Sequence, residues 1–420
     1  MKKYILLSAI LCLAITVARA QNNRNVLFLG NSYTAVNNLP QMLADMAAST
    51  GDTLIFDSNT PGGYTFQNHV SNPQTLNKIM AGNWDYVVLQ EQSQFPSFPI
   101  EQVEAEVFPY AQQLDSLIHH YNACAQTLFY MTWGRKNGDA SNCPNWPPVC
   151  TYEGMDSLLH LRYMMMADSN HALVSPVGAV WKYLRENYPA IELYQADESH
   201  PSVAGTYAAA CCFYTAVFRK DPTTISFNSS LPASDAETIK AAVKAIVFDS
   251  MMSWHIGEYD PIASFEVSAT GSMVSLTNTS VHATFFAWDF GDGNTDTATN
   301  PIHDYVDEGN YLIQLNAQFC KLSDTEAVTV TVGSTGMDNT WMNDACRVFP
   351  NPFHDQLYIA CNYSGKPEWL MSTITGRLLK PEWHREGNNM VLHTADLPVG
   401  LYFLSISARG KTWRQKIVKR

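Results

Sequence analysis

The 420-residue chain is long enough for two or three domains, and 46% hydrophobic, 12% aromatic and 15% charged residues describe packed cores rather than disorder. Its formal net charge of −13, with no basic stripe, argues against nucleic acid as a partner. In chain order, the first twenty residues read as a signal peptide: basic Lys2-Lys3, apolar Tyr4 to Val17, then Ala18-Arg19-Ala20 as an A-x-A cleavage site. That apolar run is short for a membrane span and nothing later approaches about 18 uninterrupted apolar residues, so no transmembrane segment is expected. Cleavage would remove Lys2, Lys3, Arg19 and no acid, moving the charge from −13 to −16, and would leave eight of nine cysteines. In an exported chain these can pair, and Cys143 and Cys150 flank a small loop suited to a bridge, whereas adjacent Cys211 and Cys212 read as buried thiols.

Residues 21–258 form the first predicted unit. Strand patterns at Val26–Leu29, Thr53–Asp57, Tyr86–Gln90, Thr127–Met131 and Ile191–Tyr194 alternate with helical patterns at 39–48, 101–121, 154–167 and 176–187. Such alternation predicts an α/β fold with a parallel sheet between two helical layers, binding ligands at the carboxyl ends of the strands. After Asp260-Pro261 the pattern switches to period two with turn-rich breaks, predicting a small β-sandwich over 262–333. A polar linker at 334–345 precedes a second all-β unit at 346–420.

Several polar residues follow strand candidates and so converge on one cleft. Ser32 follows the first strand, and Asp197 and His200 are spaced i, i+3 ahead of a helical stretch. A serine, a histidine and a carboxylate supply nucleophile, base and ring-orienting group for acyl transfer. Each residue also has a plain alternative, because serine and aspartate cap helices and proline opens them. The Ser32 N–H and the glycines of Thr60-Pro61-Gly62-Gly63-Tyr64 are candidate oxyanion donors, although a type II turn explains Pro-Gly-Gly equally well. No paired C-x-x-C or H-E-x-x-H spacing occurs, so neither a metal nor another cofactor is expected.

Gly30-Asn31-Ser32-Tyr33-Thr34 closely resembles the G-D-S-x-T/S block of the SGNH hydrolase (GDSL-like esterase) superfamily, with Asn31 where Asp is commoner. Asp197-Glu198-Ser199-His200-Pro201 resembles that family's final D-x-x-H-P block. The resemblance implies a flavodoxin-like three-layer domain with Ser32 as nucleophile, His200 as base and Asp197 as orienter. It also implies oxyanion donors at Ser32, Gly63 and a third-block asparagine. This chain lacks the usual G-x-N-D and reads Gln90-Glu91-Gln92-Ser93-Gln94 there, so Gln92 is the expected substitute, with Gln90 and Gln94 close behind. Trp133 and Arg135, after the fourth strand, are candidates for the substrate rim, with a core position the alternative for Trp133.

Trp288-Asp289-Phe290-Gly291-Asp292-Gly293 resembles the signature of PKD domains; as a calcium loop it carries too few carboxylates. Val348 to Phe353, Leu397 to Tyr402 and the terminal Lys416-Ile417-Val418-Lys419-Arg420 resemble the Bacteroidetes type IX secretion C-terminal sorting domain. That likeness implies engagement with the type IX machinery and a secreted or outer-surface address. The resulting expectation is a surface serine esterase acting on an acylated glycan or other small ester. The alternatives are a non-catalytic glycan-binding or adhesive protein, or a lipid esterase or thioesterase on the same triad.

Overall fold

Five parallel strands organise the first unit: β1 (Asn23–Leu29), β2 (Thr53–Asn59), β3 (Tyr86–Leu89), β4 (Gln126–Tyr130) and β5 (Leu173–Ser175), in the order β2-β1-β3-β4-β5. The computed structural model describes residues 22–333, 346–361, 368–373, 377–387, 389–408 and 411–420; the expected signal peptide and linker lie outside the described residues. The strand order is the flavodoxin-like one, whose order reverses between β1 and β3. In register, Leu29 aligns with both Asn59 and Leu89, so the chain leaves all three strands at one level.

Strand residues alternate between two apolar layers. Val26, Phe28, Val88 and Leu128 face α2 (Leu39–Ser49), α8 (Val177–Asn187), α9 (Val203–Phe218) and α10 (Ala233–Ile246), following a short α1 (Ser32–Ala35). Leu27, Leu29, Val87 and Phe129 face α3 (Phe66–Ser71), α4 (Pro73–Met80), α5 (Ile100–Glu106), α6 (Phe108–Tyr121) and α7 (Tyr152–Asn170). Burial on both faces is why these strands are short continuous apolar runs.

Two expectations are corrected. The long helix at 101–121 is two helices, broken at Val107, because Pro109 in the first turn of α6 has no N–H to donate and its ring bars continuation of the preceding turn. Ile191–Tyr194 is not a strand; Tyr194 makes a single antiparallel bridge to Pro201. The fifth sheet position belongs to Leu173-Val174-Ser175, three buried residues, too short a run for periodicity to separate from helix.

The second unit is a β-sandwich of three- and four-stranded sheets around Trp288, Phe290, Tyr305 and Leu315. The third packs two four-stranded antiparallel sheets around Phe353, Leu357, Leu404 and Ile417. A disulfide absent from the sequence expectations, Cys124–Cys320, ties the turn before β4 to a hairpin tip of the sandwich, and Lys321 Nζ adds an ion pair to Asp85 at 2.7 Å. Cys124 and Asp85 lie at the amino ends of β4 and β3, the edge of the sheet opposite Ser32. Among the described residues no helix is long and apolar enough to cross a membrane.

Candidate active site

The turn after β1 separates two jobs that one side chain could have shared. Asn31 caps α1, its Oδ1 accepting from Tyr33 N at 3.1 Å, which leaves the Ser32 hydroxyl free of capping. Ser32 Oγ lies 2.8 Å from His200 Nε2, and His200 Nδ1 lies 2.5 Å from Asp197 Oδ2. The other Asp197 oxygen accepts from the backbone N–H groups of Ser199 and His200, at 3.1 and 3.0 Å. Ser202, not Asp197, caps α9. Burial pushes the Asp197 carboxyl upward, but the His200 ring and these two N–H groups outweigh it and hold the group below its ordinary range. With side chains 31% and 48% exposed, His200 and Asp197 form an open rim rather than a sealed pocket.

Beneath the triad, polar side chains from separate strand ends knit the loops together. Asn31 Nδ2 donates to Tyr64 O at 3.0 Å and reaches Glu91 O at 3.5 Å, tying the glycine turn and the third block to the serine turn. Gln90 Oε1 accepts from Asn31 N and Thr34 Oγ1, both at 3.0 Å. A Cβ at Gly30 would sit 2.7 Å from both Gln90 Oε1 and Thr34 Oγ1, so any larger residue there would displace the Gln90 amide from the serine turn. The buried His69 bridges Thr75 Oγ1 and the Gly30 carbonyl, both at 2.9 Å. Because Gly30 O can only accept, Nε2 carries the ring proton, and Nδ1 accepts from Thr75, whose oxygen in turn accepts from Asn59 Nδ2. Burial drives His69 down to about 4, so the ring is neutral. Glu91 is fully buried at the start of α3, accepting from Phe66 N and Gln92 N; burial pushes it up to about 8 against those two bonds.

The weaker sequence candidates land differently. Gly63 has φ +72°, with Tyr64 N bonded to Pro61 O at 3.3 Å, and an added Cβ would meet nothing within 4 Å. Its turn, not crowding, demands glycine. Gln92 folds onto Gln94, donating to its Oε1 and accepting from its N–H, and it is Gln90 that reaches the serine turn. Trp133 is not at the rim: it is fully buried, stacked between Tyr33 (4.9 Å) and Trp181 (3.7 Å), because its indole fills the layer beneath α9. Arg135 is half-buried and turned to Asp139 at 3.3 Å. Burial raises the Asp139 carboxyl, yet donors from Asn142, Gln94 and Arg135 prevail and lower it. This cluster anchors the loop that the Cys143–Cys150 disulfide closes. Cys211 and Cys212 are buried free thiols in α9. Among the described residues no group of three or more His, Cys, Asp and Glu could hold a metal ion. Asn31, Gln90, Glu91 and His69 escaped sequence reasoning as braces; their only signal was polar residues where strand ends should be apolar or solvated.

Comparison with known proteins adds identity to two segments. Residues 260–332 match the family model of the PKD domain, and residues 347–420 that of the secretion system C-terminal sorting domain. A microbial collagenase of Vibrio alginolyticus is 40% identical over 58 residues, 14% of this chain and only 7% of the collagenase. A DUF4886 family protein from Bacteroides uniformis is similar in structure at 18% identity, with 54% of this chain and 96% of that one covered and a TM-score of 0.48. A candidate SGNH hydrolase from Slackia heliotrinireducens is 27% identical, with 46% and 98% covered and a TM-score of 0.38. The chain thus carries a PKD domain and a type IX sorting domain that directs it to the cell surface or outside, behind an α/β unit whose structural neighbours include SGNH and GDSL-like hydrolases.

Proposed function

We propose that the unit spanning 21–258 is a serine ester hydrolase of SGNH type that removes small acyl groups, acetyl foremost, from carbohydrate at the cell surface. The observation that carries this reading is the continuous relay Ser32 Oγ–His200 Nε2, His200 Nδ1–Asp197 Oδ2. In the first step Ser32 Oγ attacks the ester carbonyl while His200 Nε2 takes its proton, and Asp197 steadies the resulting imidazolium. The tetrahedral oxyanion is held by the N–H groups of Ser32 and Gly63, each such donor contributing roughly 3 kcal/mol. On collapse, His200 returns the proton to the departing alcohol oxygen. Water then attacks the acyl group by the same relay, releasing the acid and regenerating Ser32. The open rim supports a bulky carrier such as a glycan, with only its acyl group reaching Ser32, and the surface address supports an extracellular polymer.

A fluorophosphonate probe and p-nitrophenyl acetate test the chemistry. Ser32 of the intact protein becomes labelled, while Ser32→Ala takes no label, loses hydrolysis by about four orders of magnitude and keeps its melting temperature. Absence of labelling under conditions where a control serine esterase reacts refutes the esterase reading. Faster turnover of long-chain esters than of acetylated glycans refutes the substrate assignment alone.

A further inference from the structure

Two pairs of chain neighbours face each other across the site: Ser32-Tyr33 on the serine turn and Ser199-His200 on the acid–base loop. Two side-chain bonds span them. One is Ser32 Oγ–His200 Nε2 at 2.8 Å; the other is Tyr33 OH–Ser199 Oγ at 2.6 Å. Every polar atom of Ser199 is engaged, since its N–H goes to Asp197 Oδ1 and its carbonyl accepts from Trp133 Nε1 at 3.1 Å. The Tyr33 ring is equally constrained, lying parallel to Trp133 with an interplanar angle of 2°, itself stacked on Trp181, and meeting the His200 ring edge-on at 5.3 Å. Burial raises the Tyr33 phenol above its ordinary value, so the hydroxyl stays protonated.

The two spanning bonds differ in what the reaction does to them. Once Ser32 Oγ is esterified it has no proton and is a poor acceptor, so the Ser32–His200 bond is lost in the acyl-enzyme. The Tyr33–Ser199 bond is untouched by the chemistry. We infer that Tyr33 and Ser199 are a positioning couple that holds His200 over the acylated serine and thereby serves deacylation in particular. In that step water attacks the acyl carbon and passes its proton to His200 Nε2; the bond from carbon to Ser32 Oγ then breaks, and Nε2 returns the proton to Oγ as the acid leaves. His200 must stand within hydrogen-bond reach of that water with no serine hydroxyl to steady it. The inference rests on the esterase reading and adds which half-reaction the couple serves.

Tyr33→Phe removes the hydroxyl and keeps the ring stack. With p-nitrophenyl acetate it is expected to lower kcat about tenfold, as small displacements of a catalytic group do, to lower KM alongside it, and to leave kcat/KM within about threefold of the parent. A burst of p-nitrophenol equal to the enzyme concentration accompanies the change, because acyl-enzyme accumulates. Ser199→Ala, in the half-buried loop, is expected to behave alike, and the double variant no worse than either single one. A loss of kcat/KM in step with kcat, no burst, or additive effects of the two substitutions overturns the couple. If Tyr33→Phe does not fold, Ser199→Ala carries the same test. Failure of the parent protein to react with fluorophosphonate would refute the esterase reading instead, so the two failures are separable.

Discussion

His69 makes the fold's acid sensitivity calculable. It is fully buried, its neutral ring bridges Thr75 and the Gly30 carbonyl, and burial depresses it to about 4 from an ordinary 6.5. At pH 7 the ring is neutral in folded and unfolded chains alike, and the full stabilisation is present. As pH falls through 6.5 the unfolded chain takes a proton that the folded chain refuses, so stability is lost, by about 2 kcal/mol at pH 5 and about 3 kcal/mol at pH 4. Glu91, pushed up to about 8, acts with opposite sign: its folded carboxyl keeps a proton that the unfolded chain releases above 4.5, so its contribution declines as pH rises. The parent protein's pH profile therefore mixes the two, and a difference isolates one. His69→Gln retains a donor toward Gly30 and cannot titrate. Urea unfolding of the full chain at several pH values, followed by the near-ultraviolet dichroism of the Tyr33–Trp133–Trp181 stack, gives the stability of this unit. The parent-minus-variant difference should shrink by about 1.2 kcal/mol per pH unit between 6 and 4.5. A difference independent of pH over that range refutes the assignment of a neutral, buried His69.

Asn31→Asp replaces the donor that ties Tyr64 O and Glu91 O to the serine turn with a carboxylate that repels both carbonyls. The expected cost is about 1–3 kcal/mol, with a marked fall in kcat for p-nitrophenyl acetate; unchanged denaturation and kinetics would show that the amide ties nothing. Cys124→Ser with Cys320→Ser cuts a link at the sheet edge opposite Ser32. Ester hydrolysis should stay within about twofold while small-angle scattering reports a larger radius of gyration, since linked domains move unless their interface is large. A loss of activity matching the change in shape would mean that the sandwich supports the site from below.

What was legible in the sequence was local. Asp197 and His200 are three residues apart, and Ser32 sits one turn beyond a buried strand, so motif and strand pattern together brought out the two outer blocks, and the 2-1-3-4-5 sheet places them at one edge. The braces were illegible because each is a contact across 33 to 60 residues: Asn31 with Tyr64, Gln90 with Asn31, Glu91 with Asn31. A glutamine after a strand has the same pattern whether it donates to an oxyanion or accepts from a backbone N–H, and only the sheet register shows Gln90 opposite Gly30. Trp133 illustrates the same limit, since a ring that closes a strand-end loop and one that lines a cleft are both aromatic residues after an apolar run; here the stack beneath it decided. The Cys124–Cys320 link, 196 residues apart, had no spacing to reveal it. The glutamine-rich third block and the asparagine in the serine turn meet at one carbonyl. Asn31 Nδ2 donates to Tyr64 O and reaches Glu91 O while its Oδ1 caps α1, and Gln90 Nε2 donates to that same Glu91 O while its Oε1 accepts from the Asn31 backbone N–H. An aspartate at 31 would keep the backbone N–H and the cap but have no side-chain proton for Tyr64 O, so its cost falls on the tie to the glycine turn and not on Gln90.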